Sequence, residues 1–463
     1  MNTSEDSYFG KIIILILLAI AAFYGFKTAL PPRLFPDQVT SNSNIVMDSM
    51  MLEAVSDTTE MAIADTTEVA VRDTLNNNQT EAVDETLDPS IRAQGYNNLK
   101  HFYAKLHVLE QDKTGKVRVA YFGDSMNDGD YIVQDVRSEF QDNYGGQGVG
   151  FVAITSLSAN ARGSVSHQHS KTWTTQSFVK VKKPARPFGI DGQVFFAHGE
   201  GNWVKYRAQS QRHSTSLFRP TLFYGRSANN QAYVTIQSGK DSIVTKELNP
   251  TKLLNTLPVA STTKSLQVNF HKTDSIPIYG FNFDDGQGVH VDNYSMRGNS
   301  GLPLSILNVN LMNAFDDVLN YDLVVLHYGA NVLGYGTLNY SWYEKNMTKV
   351  VENLRACFPN ADILIISTAD KATKIDGVMQ TDPAVVPLAN AQKNYARKTG
   401  AGFISLYSLM GGEGSMAKWV DEKNLAGKDY THFNATGSKK VAKLIYDEIG
   451  KGFSKYKEEH LNE

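Results

Sequence analysis

The chain predicts an α/β fold: a parallel sheet of five strands wrapped by helices on both faces, broken between Ser164 and Gly288 by an inserted β-sandwich. Three observations predict it. Short apolar, β-branched runs alternate with helical stretches on either side of a central region. The first and third of these runs pass directly into small polar strings, Gly123-Asp124-Ser125 and Gly329-Ala330-Asn331. In the central region the pattern becomes short alternating runs separated by turn residues, the pattern of a sandwich.

From the N-terminus, Ile12 to Phe26 is an unbroken apolar and aromatic run between Lys11 and Lys27. At about fifteen residues it falls short of the roughly 20 that span a bilayer, unless Tyr8 to Gly10 and the lysine stems are counted. Residues 1–30 are therefore read as a membrane anchor; Ala19-Ile20-Ala21 offers a signal-peptidase site, so a cleaved, secreted form is the alternative. Cations are nearly balanced across the run, so charge alone does not orient it. Residues 31–90 are rich in Asp, Glu, Thr, Ser and Asn, with a near repeat in Asp57-Thr58-Thr59-Glu60 and Asp65-Thr66-Thr67-Glu68. Such a stretch buries too little apolar surface to offset its chain entropy and reads as an acidic tether.

Residues 91–163 carry the first part of the α/β domain: a strand over Val117 to Phe122, the string Gly123-Asp124-Ser125, and a helix over Tyr131 to Phe140. Residues 164–288 form the insert, with strands expected at Gly192 to Ala197, Trp203 to Ala208, Ser216 to Tyr224, Ala232 to Ser238 and Leu266 to Phe270. Residues 289–463 complete the α/β domain. Its strands are expected at Val289 to Ser295, Leu323 to His327, Ile363 to Ser367 and Gly402 to Leu406, and its last helix at Ala435 to Ile449.

The chain's 463 residues suit two or three folded units, and a formal net charge of −3 gives no electrostatic case for nucleic acid. No zinc-type spacing occurs and no cofactor is expected. The single cysteine, Cys357, cannot pair internally and reads as a buried helix-end packing residue.

Three strings carry the chemistry. Ser125 lies at the carboxyl end of a strand and before a helix, where outward N–H groups favour developing negative charge. Asn331 emerges at the same edge after the apolar run Asp322 to His327. Asp429-Tyr430-Thr431-His432 lets a carboxylate fold back onto one imidazole nitrogen, leaving the other to take a serine proton. A nucleophile, an oxyanion donor and an oriented base together suit acyl transfer at an ester.

In this order and context the strings resemble those of the SGNH/GDSL hydrolase superfamily. That resemblance implies a flavodoxin-like three-layer sandwich, with Ser125 as nucleophile, His432 as general base and Asp429 as its orienting carboxylate. It implies an oxyanion hole of the Ser125 N–H, the Asn331 amide and a glycine N–H. The glycine is assigned to Gly298 in Asn293-Tyr294-Ser295-Met296-Arg297-Gly298-Asn299-Ser300, with Gly301 as competitor. The chain departs from the family at Val332, where aspartate is usual. The stretch from Gly123 to Phe151 is similar to the start of the peptidoglycan O-acetylesterase branch, in which a β-rich, carbohydrate-binding-type domain also interrupts the fold; Met126 stands where that branch often has histidine.

The resemblance implies an acetylesterase acting on acetylated envelope polysaccharide, with its catalytic domain outside the cytoplasm, on the periplasmic side of an inner membrane. The alternatives are an O-acetyltransferase with the same residues working beside a membrane-bound acetyl-transfer partner, a lipid esterase or thioesterase, and a non-catalytic glycan-binding protein. Other residues have two readings each. Asp128 and Asp130 contact substrate hydroxyls or cap the following helix. Arg297 meets an anionic substrate group or makes a salt bridge. Trp203, with Trp173, Tyr206 and Tyr224, stacks on sugar rings or fills the sandwich core. His167 and His169 are surface polar residues or a metal pair, and no metal is assigned.

Overall fold

The computed structural model describes residues 92–334 and 338–460, together with Met50. The anchor expected over residues 1–30 lies outside the described residues, as does the tether over 31–90 apart from Met50. Among the described residues no helix is long and apolar enough to cross a membrane.

The α/β sheet has six strands, in the order Ala93–Gln94, Gly402–Ile404, Asp362–Ile366, Leu323–His327, Lys116–Gly123 and Gly288–Asn293. Five run parallel, and the short first strand adds antiparallel to Gly402–Ile404. In chain order the parallel strands read 2-1-3-4-5, the flavodoxin-like arrangement. Leu323–His327 is buried at every position, which is why it is apolar throughout instead of alternating.

Helices cover both faces. Lys100–Asp112, Val133–Tyr144 and Ala435–Glu459 pack through Phe102, Phe140, Val441 and Ile445 on one side. Val309–Leu319, Ser341–Cys357 and Val385–Lys398 pack through Phe315, Leu354 and Leu388 on the other. The helix after the serine begins at Val133, not Tyr131, because Ile132 sits at φ 61° and breaks the helical path. Cys357 ends its helix fully buried, where desolvation pushes its thiol up to about 12.

The insert is a sandwich of a five-stranded sheet and a six-stranded sheet. It begins before Ser164: Gly150–Val152 already pairs with Ile278–Phe283. The lead-in is the turn Gly145-Gly146-Gln147-Gly148, which runs against the chain re-entering the α/β sheet. Gly148 has φ 109°, and a Cβ there would stand 2.1 Å from the Phe283 carbonyl oxygen, so only glycine fits. Alternation along Asn202–Ala208 and Ser265–His271 buries Val204, Tyr206, Leu266, Val268 and Phe270 in the sandwich interior.

The sandwich packs onto the α/β domain through Phe315, whose ring lies 5.8 Å from Phe223 and 5.4 Å from Tyr279. A buried polar network joins them too. Arg118 donates from Nε to Asp292 at 2.6 Å and from Nη2 to Asn282 at 2.6 Å, and it pairs with Asp284 at 2.5 Å. Asp292 also accepts from Tyr321 Oη and from the Phe151 N–H, so one carboxylate ties a sheet strand to the first sandwich strand.

Candidate active site

Three loops meet at the carboxyl edge of the sheet, where strand order reverses between Lys116–Gly123 and Leu323–His327. Open α/β sheets hold their ligands at such a switch point. Ser125 Oγ lies 3.0 Å from His432 Nε2, and His432 Nδ1 lies 2.8 Å from Asp429 Oδ2. These three side chains, 307 positions apart at their extremes, form one continuous chain of contacts.

Local folding holds the histidine loop still. Asp429 Oδ1 accepts from the N–H groups of Thr431 and His432, the Tyr430 carbonyl accepts from Ala372 N–H, and Asn434 caps the helix that follows by accepting from Gly437 N–H. Burial raises the Asp429 carboxyl, but the bonds from the His432 ring and the two backbone donors outweigh it and hold the group down to about 2. It is therefore ionised at neutral pH and favours the tautomer with the proton on Nδ1, leaving Nε2 as acceptor toward Ser125. The pair is open to solvent, with side-chain exposures of 46% for His432 and 54% for Asp429.

The nucleophile loop is joined to the asparagine loop by Asp124, which the sequence reading quoted within its motif but gave no task. Asp124 is buried; Oδ1 accepts from Met126 N–H at 2.9 Å, and Oδ2 accepts from Gly329 N–H and Ala330 N–H at 3.2 and 3.1 Å. Burial pushes its carboxyl up to about 6 against those three donors and the nearby His432.

Asn331 is buried, and its Nδ2 donates to the Asn299 carbonyl at 3.2 Å, with a second N–H on the same nitrogen still to place. That bond brings the Met296 to Asn299 turn alongside, and Met296 N–H reaches the Gly123 carbonyl at 3.0 Å. Among the described residues the N–H groups of Ser125 and Gly298 donate to nothing, whereas Gly301 N–H already donates to Asn299 Oδ1. Of the two glycines, Gly298 is thus the one with a donor to offer.

Other sequence expectations change. Asp130 is buried in a bidentate pair with Arg137 at 2.9 Å and accepts from Asn293 Nδ2, so it does not face substrate. Asp128 accepts from Arg297 Nε at 3.1 Å and from Ser158 Oγ. Neither carboxylate caps the helix, which starts beyond them without a side-chain cap. Arg297 takes the salt-bridge reading. Trp173, Tyr206 and Tyr224 are core residues; the Tyr206 hydroxyl donates to the Ala153 carbonyl and the Trp173 indole to the Trp203 carbonyl. Trp203 itself is half-buried on Asn202–Ala208 and lines neither cavity flanking the serine loop. His167 is buried with Nε2 on the Ile154 carbonyl, and His169 Nδ1 lies on the Ser170 carbonyl.

Residues 274–440 match the profile of the GDSL-like Lipase/Acylhydrolase family. Over that stretch the chain is similar to a family of carboxylic ester hydrolases, on an α/β fold with an additional β-rich domain. Its fold is similar to that of a solved structure described as a peptidoglycan O-acetylesterase in action, at 22% identity over 78% of this chain and 99% of that one, with a TM-score of 0.65. A family two carbohydrate esterase from Cellvibrio japonicus matches at 9% identity over 63% of this chain and 98% of that one, with a TM-score of 0.26. An acetyl xylan esterase matches at 22% identity over 35% of this chain and 81% of that one, also with a TM-score of 0.26. No curated protein sequence matches the chain.

Proposed function

We propose that this chain removes O-acetyl groups from a cell-envelope polysaccharide such as peptidoglycan. Ser125 Oγ attacks the acetyl carbonyl as His432 Nε2 takes its proton. Collapse of the tetrahedral oxyanion breaks the bond to the sugar oxygen, which receives that proton. Water, deprotonated by His432, then attacks the acetyl-serine and releases acetate. The Ser125 N–H, the Gly298 N–H and the Asn331 amide are the proposed donors to the oxyanion.

The observation that carries this reading is the relay from Ser125 through His432 to Asp429, lying at an open surface. An open relay admits a polymer and water. Easy water access also favours hydrolysis over transfer to a second sugar. The likeness to a peptidoglycan O-acetylesterase supports the substrate class. The same reading places the catalytic domain outside the cytoplasm, held to the membrane through residues 1–30.

The test is acetate release from O-acetylated peptidoglycan, with and without an acceptor glycan. The parent should release acetate, and Ser125→Ala should reduce release to near background while leaving the cooperative melt unchanged. Equal release by parent and variant would sink the assignment, and acetyl transfer to the acceptor in place of acetate would replace hydrolase with transferase.

A further inference from the structure

A second concave surface lies on the sandwich, sharing no lining residue with the cavities beside Ser125. It has room for about 440 Å³, and its walls include Arg186, Pro187, Arg226, Leu253, Pro277 and Tyr279. That volume falls in the usual range for sites that enclose a small ligand. No carboxylate lines it.

The two arginines differ from most others in the protein. Arg118, Arg137, Arg162, Arg212, Arg219 and Arg297 all stand against carboxylates. Arg186 and Arg226 are exposed, and neither pairs with a carboxylate among the described residues. Arg226 donates from Nε to the Thr251 carbonyl, which fixes the stem of its guanidinium and leaves its outer edge free. Lys180, Lys183 and Lys252, also exposed, stand close by in sequence to the lining residues.

Beneath the arginines the cleft is apolar. Tyr279 is buried to 2% exposure against Phe315, and Pro187, Pro277 and Leu253 supply flat aliphatic surface. Gly225 keeps this floor in place, since a Cβ there would come within 2.7 Å of Pro277 and 2.8 Å of the Tyr279 hydroxyl.

We propose that this cleft binds a carboxylate-bearing stretch of a glycan strand. A guanidinium fork matches a carboxylate in shape and charge, and two lining one cleft with no acid among the lining residues select an anion. The apolar floor offers a surface for the hydrophobic face of a sugar ring beside it. The carboxylate preference follows from the cleft; that the ligand is a glycan rests on the esterase reading above. Binding here holds a polymer without touching the reacting ester, so it strengthens action on polymer and leaves small esters alone.

The experiment measures co-sedimentation of the full chain, in mild detergent, with insoluble peptidoglycan, with the same peptidoglycan after amidation of its carboxylates, and with chitin. The parent should bind unmodified peptidoglycan at least tenfold more tightly than the other two. Arg186→Glu with Arg226→Glu should lose at least tenfold on unmodified peptidoglycan while hydrolysing a small chromogenic acetate at the parental rate, with Arg186→Gln and Arg226→Gln falling between. Both sites are exposed, and a cooperative melt checks the fold. Parental binding by the reversed variant, or equal binding of amidated and unmodified peptidoglycan by the parent, would overturn the proposal. Acetate release is scored separately. Arginine-dependent binding without release leaves the cleft standing and removes the esterase reading, whereas release without arginine-dependent binding does the reverse.

Discussion

Asp124 is buried beside Ser125, and its three backbone donors come from both sides of the proposed oxyanion pocket. Such a residue positions groups that act; Asn331 is one of them. Asn331→Ala should lower kcat about a hundredfold or more, near 3 kcal/mol, with little change in KM, because its amide is proposed to act on the tetrahedral oxyanion. Initial-rate kinetics on a small acetate checks this, and a change confined to KM would reassign Asn331 to ground-state binding. Away from the site, Asp191 is buried, and desolvation pushes its carboxyl up to about 7 against the Gln193 backbone and side-chain donors. The unfolded chain releases this proton near 3.9. Between roughly pH 4 and 7 the native state holds a proton that the unfolded state has lost, so the contribution of Asp191 to stability is full below about 4 and declines as pH rises through about 7. Asp191→Asn removes that decline, and its melting temperature relative to the parent should be higher at pH 8 than at pH 5; a constant difference would mean that Asp191 is ionised in the fold. At this scale the sequence was readable where contacts are local, as in Asp429-x-x-His432. It misled at Asp128, whose arginine partner Arg297 lies 169 positions away, and at Asp130, which pairs with Arg137 seven positions on instead of capping the helix.

Among the elements, the five parallel strands were legible because each is a short apolar run buried on both faces, and their ends fall within two residues of expectation. The sandwich was legible only in part. Val244–Glu247 is exposed at three of four positions and Thr174–Ser177 at two of four, so neither carries an apolar alternation to read. Gly150–Val152 was missed because three buried residues after a glycine turn have no periodicity at all. That turn is itself testable. Gly148→Ala places a methyl group into the Phe283 carbonyl at a positive φ and should destabilise the protein by about 2–3 kcal/mol, read by urea unfolding. An effect under roughly 0.5 kcal/mol would show that the turn relaxes freely.

Across the whole molecule, the α/β domain and the sandwich share buried charge. Arg118→Met leaves Asp292 and Asp284 without their cation inside the protein, and the expected loss is about 3–5 kcal/mol, measured by chemical denaturation. A single transition at lower denaturant is the expected form; two separated transitions would mean that the domains unfold independently. No sequence pattern announced this network, since Arg118 stands within an apolar strand and meets one acid at the end of the insert, Asp284, and one just after it, Asp292.

The strand order carries a further consequence. Lys116–Gly123, the strand that delivers Ser125, is flanked by Leu323–His327 and Gly288–Asn293, both made only after the sandwich. During vectorial synthesis this strand emerges with neither neighbour in existence, and at 5–20 residues per second it waits on the order of ten seconds for the first. The sandwich, whose strands pair among themselves, is synthesised before then, and its contacts with Asp292 and Phe315 follow later. His432 arrives later still, so a ribosome that stops before residue 432 yields a chain with the proposed nucleophile and without its proposed base. On the proposed assignment Ser125 therefore gains its partner only after residue 432 has been made, and a shorter nascent chain carries the serine without the relay.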